Sequence, residues 1–138
     1  MIIKIKEKNN LISSPKSVGE ILEKVLSREE KNDQMKEHFW VIGLNVRNGI
    51  EYLELVSLGI LNANIVHPRE TFRMAITKGV YGIIIAHNHP SGDSQPSEED
   101  LEITKRLVKA GKILGVKVID HIIISGTEIY SFKESELI

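Results

Sequence analysis

The chain has 138 residues, 41% of them hydrophobic and 27% charged, with a formal net charge of −1 and no cysteine. This length and balance suit one globular domain that can bury its core without cross-links. They exclude a disulfide scaffold, a thiolate metal site and a strongly basic nucleic-acid platform, although a local basic patch could still exist.

Taken in sequence order, IIKIKEK alternates apolar and polar residues, as a short strand at a sheet edge does. SSPKSVGEILEKVLSRE predicts a helix capped by Ser14, with Pro15 at its first position and Val18, Ile21, Leu22, Val25 and Leu26 on one face. EEKNDQMK is polar and reads as a loop or a frayed helix end. HFWVIGLNV and IEYLELVSL flank Arg47-Asn48-Gly49, and Asn-Gly between two apolar runs is a hairpin signal. HPRETFRMAITKG predicts a shorter helix, with Pro68 near its start and Gly79 past its end. VYGIIIA predicts a buried strand, Ser97 to Leu114 a long helix, and KVIDHIIIS and EIYSF two strands around a turn at Gly126. The order, roughly β-α-β-β-α-β-α-β-β, predicts an α/β (α+β) sandwich with a mixed, mostly antiparallel sheet. One domain over residues 1–138 is expected. The longest apolar runs, about seven residues, are too short to span a bilayer, and MIIKIKEKNN lacks the apolar core of a signal peptide. A cytoplasmic protein with no membrane partner is expected.

The chemistry concentrates in IIIAHNHPSGDSQPSEED, residues 83–100. Side chains alternate along a strand, so His87 and His89 face the same way at its end. Two adjacent imidazoles make a natural pair of metal ligands, and the third ligand should come from the segment folding back over them. If Ser97 caps the next helix, Asp100 lies on its first turn, near the loop leaving His89. Two histidines and a carboxylate leave a fourth position open, as catalytic zinc sites do and closed structural sites do not. Simpler readings exist for each part. A histidine after a strand is often a surface loop residue, and Ser97-Glu98-Glu99-Asp100 is also an ordinary helix start with acids against the dipole. A cap does not explain the paired histidines, however. The consecutive His-Asn-His does not suggest an HNH nuclease, whose residues are spread over a ββα motif.

His87, His89, Pro90, Ser97 and Asp100 fall in the pattern H-x-H-P-x(6)-S-x(2)-D, which resembles the JAMM motif of the MPN (JAB) metalloprotease domain. The longer string HPRETFRMAI…AHNHPSGDSQPSEEDLEITKRL…DHIIISG resembles the RadC branch of that superfamily. The resemblance runs from about Glu37 to Phe132, with residues 1–36 adding a strand and a helix before it. It implies a JAB/MPN-like (cytidine-deaminase-like) sandwich. It also implies one zinc ion held by His87, His89 and Asp100, a Ser97 hydroxyl that helps hold the tetrahedral intermediate, and an upstream glutamate that handles the proton. The glutamate's matching position is Glu37, at the start of the strand after the first helix. Glu70 in HPRE competes with it, but early in a helix it reads as a dipole-favoured surface acid. Glu51 and Glu54 lie on opposite faces of a hairpin strand, at least one of them solvated. Asp120-His121 matches the family's DH pattern, for which a buried Asp–His hydrogen bond is a sufficient structural explanation. His38, His67, Trp40 and Phe39 read as structural.

The resemblance points first to a zinc-dependent peptidase or isopeptidase acting on a peptide or protein. The alternative is a DNA-repair-associated, non-catalytic or nucleic-acid-linked module. Typical RadC proteins also carry an N-terminal helical region resembling helix-hairpin-helix DNA-binding domains, for which residues 1–36 offer only a strand and a helix. Nucleic acid is therefore a possible partner that the charge does not favour. Metal-dependent hydrolysis of a non-peptide bond is a third reading, because fold and metal do not choose the substrate. The oligomeric state is not encoded in any pattern found.

Overall fold

In the computed structural model, which describes residues 1–3, 11–62 and 64–138, one six-stranded mixed sheet carries helices on both faces. The elements are β1 (Ile2–Ile3), α1 (Pro15–Ser27), α2 (Lys31–Gln34), β2 (His38–Leu44), β3 (Ile50–Leu58), α3 (Pro68–Lys78), β4 (Gly82–Asn88), α4 (Glu98–Leu114), β5 (Lys117–Ser125) and β6 (Glu128–Ser131). The strand order is β1-β3-β2-β4-β5-β6, and only β4 and β5 run parallel. Those two are joined through α4, the crossover that a parallel pair requires. The mixed, mostly antiparallel sheet and its helix cover agree with the sequence reading. β1 lies at a sheet edge as expected, with the rest of IIKIKEK outside the described residues.

Alternation along the central strands builds two cores. Phe39 and Val41 of β2 and Ile83 and Ile85 of β4 pack with Phe72 of α3 and Ile103 and Leu107 of α4. Trp40 and Ile42 of β2 and Ile84 and Ala86 of β4 face the other way, against Val18 and Leu22 of α1. Trp40 and Phe39 are thus core residues, as expected. α1 starts on a reciprocal box in which Ser14 and Ser17 each accept the other's backbone N–H. α3 ends at Gly79, whose φ of 64° is the left-handed conformation that glycine adopts without strain.

Two local expectations are refined. Part of EEKNDQMK is helical: Lys31–Gln34 form the single turn α2, closed by Gln34 N–H to Glu30 C=O and by the Gln34 carboxamide donating to Glu29 C=O. In the β2–β3 turn the left-handed residue is Asn48 (φ 62°) rather than the glycine after it. The Asn45 carboxamide oxygen accepts from the N–H groups of Arg47 and Gly49 and holds the loop.

One irregularity decides which side chains reach the site. Along the β4–β5 pairing Ile83 stands opposite Val118, but Ile84 stands opposite Asp120, so Ile119 is an extra residue in β5. This bulge reverses the side-chain parity beyond it. Val118 belongs to the α3/α4 core, and His121, three residues on, faces that same side.

Candidate metal centre

His87 is the penultimate residue of β4, fully buried on the α4 side of the sheet. His89 follows one step beyond the strand, its N–H held by Ile124 C=O and its C=O by the Ser125 hydroxyl. The loop then turns at Gly92, whose φ is 94°. That turn returns the Asp93 carbonyl to within 2.7 Å of His89 Nδ1. Ser97 caps α4: its Oγ accepts the Asp100 N–H at 3.1 Å, while an Asp100 carboxylate oxygen accepts the Ser97 N–H at 2.9 Å. The same carboxylate reaches both rings, with Oδ1 3.2 Å from His87 Nε2 and Oδ2 3.1 Å from His89 Nε2. The helix-start reading therefore holds in part, since the serine is a true cap and the acid a true box partner, but the surface-loop reading of the histidines does not, since His87 is fully buried. The cap aims the carboxylate at the histidines.

The donor set fits a metal ion. His87 Nε2, His89 Nε2 and the Asp100 carboxylate lie within 4.8 Å of one another. The two Nε2 atoms are 2.9 Å apart. His89 Nδ1 faces a carbonyl, which can only accept, so its neutral ring carries the proton there and keeps a lone pair on Nε2. His87 Nδ1 is 2.8 Å from Nε2 of His121. Two nitrogen lone pairs and a carboxylate so placed repel one another unless a cation sits among them. In the metal-free protein a proton takes that role. The hydrogen bond to Asp100, opposed by partial burial, raises the His89 pKa above its ordinary value. Burial works against the Asp100 charge, yet the His87 and His89 rings beside it and the Ser97 N–H outweigh it and hold the carboxyl well below the usual carboxylate range. Burial, reinforced by the neighbouring His87, pushes His121 well below the imidazole range and keeps that ring neutral.

Glu37 precedes β2 and lines the same open cleft of about 730 Å³ as His89, Ser97 and Asp100. β2 pairs with β4 so that Phe39 stands opposite His87. Continuing that antiparallel register places Glu37 at the level of His89. Its carboxylate accepts the Leu61 N–H at 2.7 Å, its backbone carbonyl accepts the Gly59 N–H, and its negative charge acts on His89. The middle residue of His-Asn-His fixes this segment. The Asn88 carboxamide accepts the His38 N–H at 2.6 Å and donates to the Lys36 C=O at 3.0 Å, bracketing Glu37 on both sides.

The other carboxylates lie elsewhere. Glu70 is exposed and paired with Arg73, as a surface acid should be. Glu51 is exposed beside Asn45, and Glu54 is half-buried on β3 away from the cleft. His38 bridges Glu29 and the Lys36 carbonyl and is structural as expected, whereas His67, the residue before α3, is exposed and its side chain makes no cap hydrogen bond.

The Asp–His bond expected of Asp120-His121 takes a different form. Asp120 accepts the His121 backbone N–H, the Ser131 hydroxyl and the Lys133 N–H. The imidazole points to the opposite face, with Nδ1 2.6 Å from the Thr104 hydroxyl and Phe132 stacked on it at 4.4 Å. Sequence reasoning missed Asn88, Thr104 and the direction of His121. The DH dipeptide was the visible signal, but adjacent strand residues face opposite sides and the bulge decides which.

A mixed sheet between helices, with two histidines from one strand end and an aspartate from a helix start, defines a domain with a candidate mononuclear metal site. Residues 12–137 match the RadC-like JAB domain family, and the protein belongs to it. The match takes in α1 and α2. The protein is 48% identical over 134 residues to a UPF0758 protein of Caldanaerobacter subterraneus subsp. tengcongensis, covering 97% of its own length and 55% of that relative's. It is 48% identical over 126 residues to a UPF0758 protein of Alkaliphilus metalliredigens, covering 91% and 52%. It is 52% identical over 99 residues to one of Listeria welshimeri, covering 72% and 44%. The 138 residues thus span about half the length of the curated relatives they match. Among the described residues, no helix is long and apolar enough to cross a membrane.

Proposed function

We propose that this domain is a zinc-dependent hydrolase of peptide or isopeptide bonds. One observation carries the reading: two Nε2 atoms and a carboxylate converge at an open cleft that also holds a second, separately anchored carboxylate, Glu37. His87, His89 and Asp100 would hold the ion. Zinc bound there would supply Lewis acidity, lowering the pKa of a water on it to near neutrality. Glu37 takes the proton from the attacking water and passes it to the leaving amine, so that hydroxyl adds to the carbonyl carbon and hydrogen to the nitrogen as the C–N bond breaks. The Ser97 Oγ is occupied as an acceptor, which leaves its proton to donate. That hydroxyl and the N-terminus of α4 face developing negative charge on the carbonyl oxygen.

The charge of the cleft supports a peptide over a nucleic acid. Its walls carry Glu37, Asp93, Glu99 and Asp100 against Lys36, which is paired with Asp33. Even with the two charges of a zinc ion the balance of these groups stays negative, so a phosphate backbone, which is bound mainly through neutralising cations, is disfavoured there. The exposed apolar side chains of Met35 and Ile60 at the rim suit a peptide segment.

The test is to incubate zinc-loaded protein with a proteome-derived peptide library and read new termini by mass spectrometry. Cleavage is expected for the parent. Glu37→Gln keeps the shape and an oxygen for the Leu61 N–H, so it should retain zinc and lose about 10²–10⁴-fold in rate. A parent that takes up zinc but cuts nothing in this library, or in an isopeptide-linked one, overturns the proposal. So does a Glu37→Gln variant of full activity.

A further inference from the structure

The row of polar groups behind His87 has a direction. Thr104 lies one turn beyond Asp100 on α4, and its hydroxyl is 2.7 Å from the Asp100 backbone carbonyl. A carbonyl cannot donate, so the single hydroxyl proton is spent on it. The contact between Thr104 Oγ1 and His121 Nδ1, 2.6 Å, must then be donated by the imidazole. His121 is fully buried, and its ring nitrogens meet the Thr104 oxygen and a His87 nitrogen rather than a carboxylate. It therefore carries one proton, on Nδ1, and Nε2 is an acceptor. That acceptor lies 2.8 Å from His87 Nδ1, which must carry the proton of His87. The lone pair of His87 is left on Nε2, the atom that faces His89 and Asp100.

We propose that Thr104 and His121 are positioning residues that order these protons, so that His87 is held in the tautomer and ring orientation a metal ligand needs. The consequence for metal affinity rests on the reading of the site as a metal centre; the proton order does not. Phe132 stacked on His121 and Phe39 at its edge shut water out, so no solvent molecule can replace the Thr104 oxygen. The relay also ties the two ligand-bearing elements together, because Thr104 sits on the helix of Asp100 and His121 touches the strand of His87. If the three groups were merely a satisfied buried cluster, removing the hydroxyl would lower stability alone. In a relay it also frees His121 to hold its proton on Nε2, which turns the His87 proton toward the metal position.

The test uses the 138-residue protein with ¹⁵N-labelled histidine, metal-free and in mildly acid solution, where a proton on His89 takes the cation's place among the ligand groups. Long-range proton–nitrogen correlation then reports which ring nitrogen is protonated. The parent should show His87 and His121 protonated on Nδ1. Thr104→Val should change the His87 tautomer population and weaken zinc binding by about 10–100-fold. Thr104→Ser, which keeps the hydroxyl, should restore both. A parent with the His87 proton on Nε2 overturns the relay whether or not any variant folds, and so does a folded Thr104→Val that binds zinc as tightly as the parent. A parent with the expected tautomers that takes up no zinc overturns the metal reading instead, so the two failures are distinguishable.

Discussion

Ser97→Ala separates a structural from a catalytic role at one atom. The substitution removes the acceptor of the Asp100 N–H, a bond of 3.1 Å. It leaves the reciprocal bond from the Ser97 N–H to the Asp100 carboxylate at 2.9 Å, because that donor belongs to the backbone. The acids Glu98, Glu99 and Asp100 remain in the first turn against the helix dipole. The freed N–H belongs to Asp100, which is buried, but deleting the hydroxyl of the exposed Ser97 opens a path for water to it. One of two reciprocal bonds is lost at a wet helix end, which places the cost at about 1 kcal/mol, the middle of the range for lost caps. In a protein of 138 residues this should lower Tm by about 4 °C. Such a loss leaves nearly all molecules folded at the assay temperature, so by itself it cannot change turnover appreciably. If the hydroxyl also donates to the developing oxyanion, kcat should fall by about 10²–10³-fold. Zinc affinity should hold, because the carboxylate keeps its backbone donor. Thermal unfolding, zinc titration and turnover on one substrate are compared between parent and variant. Unchanged kcat with a lower Tm would make Ser97 a cap only; unchanged Tm would refute the assignment of the cap bond.

Asn88→Ala removes both bonds that bracket Glu37 and leaves the buried His38 N–H without a partner, while the Lys36 C=O keeps its contact with His38 Nδ1; the loss should cost about 1–3 kcal/mol in urea unfolding. Turnover should fall more than zinc content does, since no ligand is touched; retention of full turnover would show that the bracket does not set Glu37. In chelator, stability should fall toward acid pH, where Asp100 and the neutral, buried His121 must take up protons, and should lose the His89 contribution toward alkaline pH. The depressed Asp100 contributes above its unfolded pKa near about 3.9 and loses that contribution as pH falls further, whereas the raised His89 contributes fully below about 6.5 and loses it as pH rises through its folded value. Urea midpoints against pH check this, and Asp100→Asn should flatten the profile. Zinc must displace the His89 proton, so its affinity should decline as pH falls through the raised His89 pKa, and a pH-independent affinity would contradict the ligand set.

The three candidate ligands were legible because their placement is local. Strand parity puts His87 and His89 on one side, the loop between them and Ser97 has few residues, and a capping serine fixes where the first turn of α4 begins. The apolar stripe of α1 and the hairpin follow from periodicity and turn chemistry in the same way. The short helix α2 was not legible, because its polar residues carry no apolar stripe and a side-chain bond to Glu29 C=O closes it.

The fold class, the starts of the long helices and the candidate metal-ligand trio thus lie in short-range patterns, where each residue constrains the φ/ψ and facing of its near neighbours. Strand partners do not. That β2 lies beside β4, bringing Glu37 to the level of His89, depends on which sheet order buries both apolar faces of the central strands. The direction of His121 depends on one extra residue, Ile119, in a run of apolar residues where a bulge leaves no mark in composition. The Asn88 bracket and the Thr104–His121 relay join groups 52 and 17 residues apart, and only packing against β4 brings them within a hydrogen bond.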